Sequence, residues 1–484
     1  MLFNSVGYLL FLPVVIILYY SIPHRFRWIL LLAGSYFFYL LWKVEFVVVL
    51  MGATLISYYS AIKMGEQPKK RARLKYLFIT LIANLGMLVF FKYLGFFTGI
   101  INELSRITGK EQLIPVFNIL IPVGISFYTF QTIGYTIDVY RGMLKPEKNI
   151  GIYALFASFF PLVLAGPIER GKRLIPQFYI EHPFDPGLFT SGLRLILWGM
   201  FKKIVIADRL SMFIQPVFSN IGYFHGPEIL LAIMLKMMQV YADFSGYTDI
   251  AIGSARLLGF KLSPNFNRPF SARSITEFWS RWHISLTSWL RDYVYFSLPF
   301  KYKGKVVQWR FSLNLMIIFV LVGFWHGPHW NFIIFGLLQG TFMVIGNVSK
   351  PFMTRFNQVS GLSKVPRLLT GLNIAATFLL ICSSGFFFGN HPLKDSFRMI
   401  ANMTDFSQAG HSIFLTLMKN GDLILGIALV IFMLWFEYLV AMRSFASKFL
   451  RQPIILRYSA YLFMLFFILA FGVYTSQKFF YMQF

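Results

Sequence analysis

The sequence predicts an all-α, polytopic integral membrane protein. Hydrophobic residues make up 57% of its 484 residues, and only 13% are charged. Apolar runs of roughly 20 residues, the length that crosses a bilayer as a helix, recur along the chain. A water-soluble protein of this length could not bury so much apolar surface. We therefore predict about 11–13 membrane segments, including possible re-entrant helices, in one membrane domain over residues 1–484 that contacts the lipid bilayer.

The charge balance bears on possible partners. Lys and Arg number 45 against 19 Asp and Glu, which gives a net charge of +26. In membrane proteins such an excess gathers in cytoplasmic loops, where it also meets anionic headgroups. The basic residues here lie in short loops between apolar runs, so we expect no nucleic-acid partner. The single cysteine, Cys382, excludes an intramolecular disulfide and a cysteine-based zinc site.

The first apolar run sets the predicted orientation. No basic residue precedes it, and His24, Arg25 and Arg27 follow it. This is the reverse of a signal peptide, so we predict a retained helix with an extracytoplasmic N-terminus. The next spans are predicted at roughly 28–42, 44–62, 76–98 and 113–133. Their alternation puts the most basic loop, Lys63–Lys75, in the cytoplasm, as the positive-inside rule requires.

The middle of the chain is less regular. The run Ile152–Phe178 is apolar but is broken by Pro161 and by Gly166–Pro167. It fits either a full span or a re-entrant segment covered by protein. Later apolar runs lie near 187–206, 227–259, 311–326, 330–347, 367–389, 421–441 and 456–475.

The segment Lys261–Arg310 is basic and too interrupted to span. Ser274 and Glu277 form a capping-box pattern that predicts a helix start. Aromatic residues then recur near the helical period, which predicts a continuous amphipathic helix in the membrane interface, with His283 in its middle. Two interpretations stay open on these grounds: an interfacial strut and a substrate-facing helix.

Several polar residues interrupt apolar runs. They are His326 and His329 around Gly327–Pro328, His283, Asp243 and Asp249, Glu169 and Arg170, and Asp138 and Arg141. Structural ion pairs are favoured for Asp138 and Glu169, whereas Asp243 and Asp249 could cap, pair or function. No Cys or carboxylate accompanies His326 and His329, so we expect no metal. From physics alone, His326 fits a buried core histidine and a functional one equally well.

Longer motifs resemble a known family. The stretches "NFNRPF", "RWHISL" and "WLRDY" within residues 265–293, followed by "GFWHGPHWNF" at 323–332, are similar to the membrane-bound O-acyltransferase (MBOAT) family. The similarity is greatest to its bacterial branch, which includes the membrane subunit of alginate O-acetyltransferase. It runs over about residues 1–390, leaving 391–484 as extra C-terminal membrane helices. Two stretches depart from the family pattern: "FSLPFKYKG" at 296–304 and "FFFGN" at 386–390.

The resemblance implies roles for particular residues. His326 corresponds to the catalytic histidine, and His283 to a second position at the cytoplasmic side of the reaction chamber. Trp325, Asp243 and Asp249 would support the site or line the substrate channel. The donor-binding candidates in the basic segment are Arg273, Arg281 and Arg291.

The resemblance also implies a reaction and partners. We expect an O-acyltransferase in the bacterial cytoplasmic (inner) membrane that moves an acyl group, most simply acetyl, towards an extracytoplasmic polysaccharide. The donor would be acetyl-CoA or an acyl carrier protein, with no bound cofactor. A separate extracytoplasmic acyltransferase or esterase-like partner would receive the group. The alternatives are D-alanyl transfer to teichoic acid and, in a different class, a transporter; no internal repeat of the transporter kind is visible.

Overall fold

The computed structural model describes residues 1–110, 113–115, 117, 119–299, 301–302, 305–406, 421–442 and 448–474. The described chain is dominated by helices, which confirms the all-α prediction. Its β-structure is one antiparallel pair of two-residue strands, Lys301–Tyr302 and Lys305–Val306. Parts of three predicted segments lie outside the described residues: 116 and 118 of the predicted fifth span, 300 and 303–304 of the basic segment, and 475 at the end of the last predicted apolar run.

Contacts between Cα atoms divide the chain into two compact units. The first contains Met1–Ile196 and Thr248–Pro264, and the second contains the described parts of Leu197–Tyr247 and Asn265–Phe484. The division runs through two helices, at residues 196 and 247. A single membrane domain over the whole length stays a prediction.

The first part of the chain is a series of helices joined by short loops. They are α1 (Val6–Ser21), α2 (His24–Leu40), α3 (Val44–Gly65), α4 (Lys70–Leu88), which continues through a π-turn (Val89–Tyr93) into α5 (Leu94–Ile107), α6 (Ile125–Arg141), α7 (Ile150–Ser158), α8 (Phe160–Val163), α9 (Gly171–Leu174), a 3-10 turn (Ile175–Phe178) and α10 (Pro186–Met200).

The rest of the chain continues in the same manner. Its elements are a π-helical segment (Phe201–Ala207), α11 (Asp208–Ser219), α12 (Pro227–Leu257), α13 (Ile275–Arg281), α14 (Ile284–Tyr293), α15 (Gln308–His326), α16 (Trp330–Val348), α17 (Lys350–Val359), α18 (Pro366–Gly385), α19 (Leu393–Met403), and 3-10 turns at Pro269–Ser271, Tyr295–Ser297 and Leu362–Lys364. Two further helices, Gly421–Ala441 and Ile454–Phe471, are called the first and second C-terminal helices.

Eight described helical stretches are long and apolar enough to cross a membrane. They are Val44–Gly65, Lys70–Ile107, Pro227–Leu257, Gln308–His326, Trp330–Val348, Pro366–Gly385, Gly421–Ala441 and Ile454–Phe471. Two shorter apolar helical stretches, Val6–Ser21 and Ile150–Val163, accompany them. The polytopic class is therefore confirmed, and the total of eleven to thirteen segments stays a prediction.

The predicted fifth span, 113–133, is wrong in position. The helix α6 begins at Ile125, after Pro122 and Gly124, and runs on to Arg141. Gly124 has φ +74°, and a Cβ there would lie 2.0 Å from the carbonyl oxygen of Val163. Only glycine fits such a left-handed, tightly packed position, so the helix cannot extend back through it.

The irregular apolar run is broken in the structure. It forms α7, α8 and α9, with interruptions at Phe159 and over residues 164–170. Nearly every residue from Ile152 to Glu169 is buried within the first unit. Broken backbone at membrane depth is tolerated where protein covers it, so the structure favours the re-entrant interpretation over a continuous span.

In the second unit, α15 and α16 form a closely packed helical pair. A Cβ on Gly323 would lie 2.1 Å from the carbonyl oxygen of Phe332, and one on Gly336 would lie 2.3 Å from that of Phe319. Small residues let two helix backbones approach in this way. Between the helices, Gly327 is fully extended and Pro328 follows, so the chain reverses directly after His326.

The predicted continuous interfacial helix is wrong in one respect. Its start is as expected, because the Ser274 hydroxyl accepts the backbone N–H of Glu277 at 3.1 Å. The helix ends at Arg281, however, and a second helix begins at Ile284. His283 lies between them with φ +44°, so it is not in mid-helix.

Backbone pairing explains the break. The Ile284 N–H donates to the carbonyl of Asn265, and the Asn267 N–H donates to the carbonyl of Arg281, both at 2.9 Å. The preceding loop therefore takes over hydrogen bonds that a continuous helix would need. Residue periodicity does not reveal such long-range pairing.

Candidate active site

His326 lies at the last position of α15, directly before the reversal of the chain. Its side chain is buried, with 2% of the residue exposed. The imidazole is surrounded by aromatic rings, with centroids 4.9 Å away for Phe388, 5.9 Å for Phe335 and 6.1 Å for Phe332. The helix end and the aromatic contacts together fix the position of the imidazole.

A narrow cavity of about 30 Å³ opens beside His326. It is lined by Met237, Val240, Phe270, Phe278, Trp279, Trp282, His326, Phe335, Gln339, Ile381 and Phe388. This volume exceeds the roughly 10–15 Å³ that one water molecule needs. The walls are mostly apolar, so a polar reaction there would proceed in a low-dielectric environment.

The ring of Trp325 contacts both His283 and His326. The ring of His283 lies 5.2 Å from that of Trp325 and 4.8 Å from that of Phe244. Trp325 in turn lies 5.0 Å from the ring of His326. The structure thus brings together three residues that the sequence analysis singled out, although His283 and His326 are 43 positions apart.

A hydrogen bond defines the tautomer of His283. Its Nδ1 lies 3.1 Å from the side-chain oxygen of Asn265, which also accepts the N–H of Ser285 at 3.2 Å. A backbone N–H can only donate, so this atom is an acceptor and His283 Nδ1 must carry the proton. Burial lowers the pKa of His283 to about 3. The ring is therefore neutral, and Nε2 holds the lone pair.

A second polar group on the cavity was missed from the sequence. The Trp279 indole N–H donates to Gln339 Oε1 at 2.9 Å, and Gln339 Nε2 donates to the Ser384 hydroxyl at 2.7 Å. All three side chains are buried. The one available signal was an amide side chain inside the apolar run 330–347.

Asp243 lies in a buried ion network. Lys203 Nζ is 2.6 Å from Asp243 Oδ1 and 2.8 Å from Asp208 Oδ1. The neighbouring Lys202 donates to the Ser245 hydroxyl at 2.9 Å. Neither lysine was predicted as a site residue, although each interrupts an apolar run. A supporting role for Asp243 stays a prediction.

The other three carboxylates singled out from the sequence, Asp138, Glu169 and Asp249, belong to the first unit. Asp249 is half-buried, and it is absent from the described residues that line the cavity. Glu169 is buried and accepts the backbone N–H of Ser263, and burial raises the pKa of its carboxyl. The predicted ion pairs of Asp138 and Glu169 with the nearby Arg141 and Arg170 stay predictions.

The three arginines proposed for donor binding differ in their surroundings. Arg281 is half-buried; it contacts the Glu277 carboxylate and donates to the Ser271 hydroxyl at 2.7 Å. Arg291 has 60% of its side chain exposed and lies 3.0 Å from the carboxylate of Asp292. Arg273 is exposed. Arg281 therefore contributes to the local structure through its contacts with Glu277 and Ser271, whereas the side chains of Arg273 and Arg291 are exposed to a ligand.

His329 differs from His326 in position. It is the N-cap residue of α16 and is half-buried, with its ring 6.4 Å from that of Phe332. Partial burial lowers the pKa of His329. In the part of the chain that the structure describes, no three His, Cys, Asp or Glu side chains converge as a metal-binding group.

Comparison with known proteins shows the family of this chain. The profile of MBOAT, the membrane-bound O-acyltransferase family, matches residues 149–371, which include the basic segment and the α15–α16 pair. The chain is 37% identical over 409 residues to the probable alginate O-acetylase AlgI of Pseudomonas aeruginosa. That alignment covers 84% of this chain and 75% of the relative.

Two further relatives have names that refer to other polymers. The chain is 32% identical over 400 residues to the peptidoglycan O-acetyltransferase of Helicobacter pylori, with 77% of this chain and 73% of the relative covered. It is 29% identical over 294 residues to the teichoic acid D-alanyltransferase of Bacillus subtilis. That alignment covers 57% of this chain and 71% of the relative.

Proposed function

Because this chain belongs to the membrane-bound O-acyltransferase family, we propose that it transfers an acetyl group from a cytoplasmic thioester towards an extracytoplasmic polysaccharide hydroxyl. The relatives named as alginate O-acetylase and peptidoglycan O-acetyltransferase support acetyl as the group and a polysaccharide as the acceptor. Acetyl-CoA is the simplest donor for such a reaction. The observation that carries the proposal is the buried His326 at a helix end, beside a cavity walled by aromatic rings.

In this proposal His326 is the general base. Its neutral imidazole accepts the proton of the acceptor hydroxyl as the oxygen attacks the thioester carbonyl. The carbon–oxygen bond forms, the carbon–sulfur bond breaks, and the imidazolium returns the proton to the departing thiolate. General base catalysis of this kind contributes typically about 10²–10⁴-fold. The aromatic walls exclude water that would otherwise hydrolyse the thioester.

His283 and Trp325 would support this chemistry. The hydrogen bond from His283 Nδ1 to Asn265 fixes the orientation of the ring, which packs against Trp325. Trp325 packs against His326, so the three rings form a chain of edge-to-face contacts that limits motion of the base. Positioning within a fraction of an ångström is worth a large rate factor in acyl transfer.

The basic segment would receive the donor. The exposed side chains of Arg273 and Arg291 can bind the phosphates of acetyl-CoA or the acidic surface of an acyl carrier protein. The structural contacts of Arg281 with Glu277 and Ser271 make it a weaker candidate for the same role.

The proposed setting is the bacterial cytoplasmic membrane, with the N-terminus outside. The positive-inside rule supports this orientation, because Lys63–Lys75 is the densest basic run and follows α3. The acyl group would be passed to a separate extracytoplasmic esterase-like protein that completes the transfer to the polymer.

D-alanyl transfer from a carrier protein to teichoic acid is the second candidate. The similarity to a teichoic acid D-alanyltransferase supports it, but that alignment covers 57% of this chain, against 84% for the alginate O-acetylase. Both reactions attack a thioester with a hydroxyl, so the same histidine would serve either one.

The donor can be identified with the purified chain in proteoliposomes. Radiolabelled acetyl-CoA and a D-alanyl thioester of a carrier protein would be supplied separately, with His326→Gln protein as the blank. We expect His326-dependent consumption of acetyl-CoA at least about tenfold faster than that of the D-alanyl thioester. Faster use of the D-alanyl thioester would replace the proposed donor, and equal consumption by the blank would overturn the proposed mechanism.

A further inference from the structure

The first C-terminal helix carries a carboxylate inside its apolar sequence. Its two charged residues are Asp422 and Glu437. Four of its buried residues recur at spacings of three and four, and so lie on one face: Leu423, Gly426, Val430 and Met433. Glu437 continues this stripe, with 12% of its side chain exposed. An ionisable residue turned inward from a membrane helix is rare and is by default a candidate functional residue.

Glu437 accepts a hydrogen bond from a buried tyrosine of α12. The Tyr241 hydroxyl lies 2.8 Å and 3.0 Å from the two carboxylate oxygens of Glu437, and Tyr241 is 2% exposed. Lys202 Nζ lies 3.9 Å from Glu437 Oε1 and 5.8 Å from the centroid of the Tyr241 ring. The carboxylate thus has a hydrogen-bond donor and a cation beside it, and it holds the tyrosine by its hydroxyl end.

Apolar contacts on both sides of this group set the register of the helix. The ring of Phe436 lies 4.7 Å from that of Trp198, and the ring of Phe432 lies 6.0 Å from that of Phe201. Lys202 follows Phe201 in the π-helical segment and also donates to a serine hydroxyl of α12 at 2.9 Å. The carboxylate of Glu437 is therefore opposite Lys202 because the rings beside it pack one way.

The ring of Tyr241 packs against the wall of the cavity. Its centroid lies 5.5 Å from that of Phe270, 5.7 Å from that of Phe266 and 6.0 Å from that of Trp282. Phe270 and Trp282 line the cavity beside His326. A change in the position of the tyrosine ring would therefore change the shape of the cavity wall.

We propose that Glu437 is a positioning residue for the donor side of the cavity. Through the Tyr241 hydroxyl it holds the rings of Phe270 and Trp282, which belong to the basic segment that receives the donor in the proposed function. The match to the family profile ends at residue 371, so the first C-terminal helix acts on the cavity from beyond that match. This inference rests on the proposed function, because it concerns the donor site of that reaction.

Stability alone does not account for a carboxylate at this position. The desolvation of a buried ion pair often outweighs its attraction, and well-packed apolar replacements are often neutral or stabilising. A leucine at residue 437 would continue the apolar stripe. A charge-assisted hydrogen bond is short and directional, however, so it holds a tyrosine in one orientation as an apolar contact does not. The carboxylate of Glu437 serves this orientation.

Tyr241→Phe removes the hydroxyl and leaves Glu437 paired with Lys202. We expect the apparent Michaelis constant for the acyl-thioester donor to rise at least about tenfold, because a hydrogen bond to a charged group is lost. The turnover number per folded protein should change by less than about twofold, since His326 keeps its contacts. The measurement is donor titration of the purified protein in proteoliposomes, with equal amounts of folded protein. A parental Michaelis constant in Tyr241→Phe would overturn the positioning role.

Variants of the helix itself separate positioning from loss of structure. Glu437→Gln keeps an acceptor for the Tyr241 hydroxyl and should stay within about threefold of the parental Michaelis constant, whereas Glu437→Leu should raise it about tenfold or more. Adding Tyr241→Phe to Glu437→Leu should raise it no further, because the two side chains act as one unit. The matched control is Asp422→Asn, which weakens the other charged contact of the same helix, with Arg209. An equal rise in Asp422→Asn would mean that the helix acts only by its attachment, against the proposal.

Fluorine NMR tests the contact without catalysis. In protein labelled with fluorotryptophan, the resonance of Trp282 is assigned by its loss in Trp282→Phe. We expect this resonance to shift or broaden in Tyr241→Phe and to keep its parental position in Asp422→Asn. A parental Trp282 resonance in Tyr241→Phe would refute the inference. Failure of the parent to use any acyl thioester would instead refute the proposed function, and the Trp282 resonance would still decide whether Glu437 positions the cavity wall.

Discussion

At the scale of single residues, the surroundings of His283 predict an acid-sensitive contribution to stability. The folded-state pKa is about 3, against 6.5 for the free side chain. The unfolded chain therefore binds this proton more readily, and stability falls as the pH drops from about 6.5 towards 3. Because pH 5 lies about 1.5 pH units below the pKa of the unfolded chain and still above that of the folded protein, the loss at pH 5 is about 2 kcal/mol. His283→Gln stays neutral and should lose less thermal stability than the parent between pH 7.5 and pH 5, as measured by unfolding in detergent. An equal loss in both proteins would refute the assigned protonation state.

Two arginines of the basic segment should respond differently to removal. Arg291→Ala should raise the apparent Michaelis constant for the donor without lowering the turnover number. The difference from the parent should shrink at high salt, because salt screens the exposed charge of Arg291 in the parent. Arg281→Ala should instead lower thermal stability, since it loses the contacts with Glu277 and Ser271. Donor titration at two salt concentrations, with equal amounts of folded protein, distinguishes these results. If Arg291→Ala left the apparent Michaelis constant for the donor unchanged at both salt concentrations, the basic segment would have a structural role only.

At the scale of helices, the contact between α15 and α16 sets the position of His326. Gly323→Ala would force a methyl group to within 2.1 Å of the Phe332 carbonyl oxygen, so the helices must separate. We expect thermal stability to fall by about 1–3 kcal/mol and acyl transfer to fall with it. Gly346→Ala is the matched control, because a Cβ there meets nothing within 4 Å. Equal stability of the two variants would mean that the helices do not pack as described.

The sequence predicted long helices well because length and apolar composition determine them. The run 421–441 coincides with the first C-terminal helix, and 227–259 differs from α12 by two residues. Features that depend on distant parts of the chain were not predictable. The left-handed conformation of His283 depends on pairing with a loop 18 residues earlier, and the ion pair of Lys203 with Asp243 joins residues 40 positions apart. His326 was predicted as a site residue from its motif and from the cost of a polar group at membrane depth, and its catalytic role stays a prediction.

At the scale of the whole molecule, the predicted orientation can be tested by labelling. The one native cysteine, Cys382, is buried, so the background should be low. Lys110→Cys should react with a membrane-impermeant maleimide in intact cells, whereas Glu66→Cys should react only after permeabilisation. The helices of residues 70–107 separate these positions, and the basic loop determines which end faces the cytoplasm. The opposite pattern would invert the predicted topology, and with it the assignment of donor and acceptor sides.

The central claim is that His326 performs the chemistry, and the most direct measurement is acyl transfer by His326→Gln at matched abundance. We expect a loss of about 10²–10⁴-fold, the usual contribution of a general base, with unchanged membrane insertion and thermal stability. His329→Ala is the control from the same chain reversal and should keep most of the activity, because its half-buried ring lies outside the cavity lining. Acyl transfer by His326→Gln at the parental rate and abundance would contradict the account.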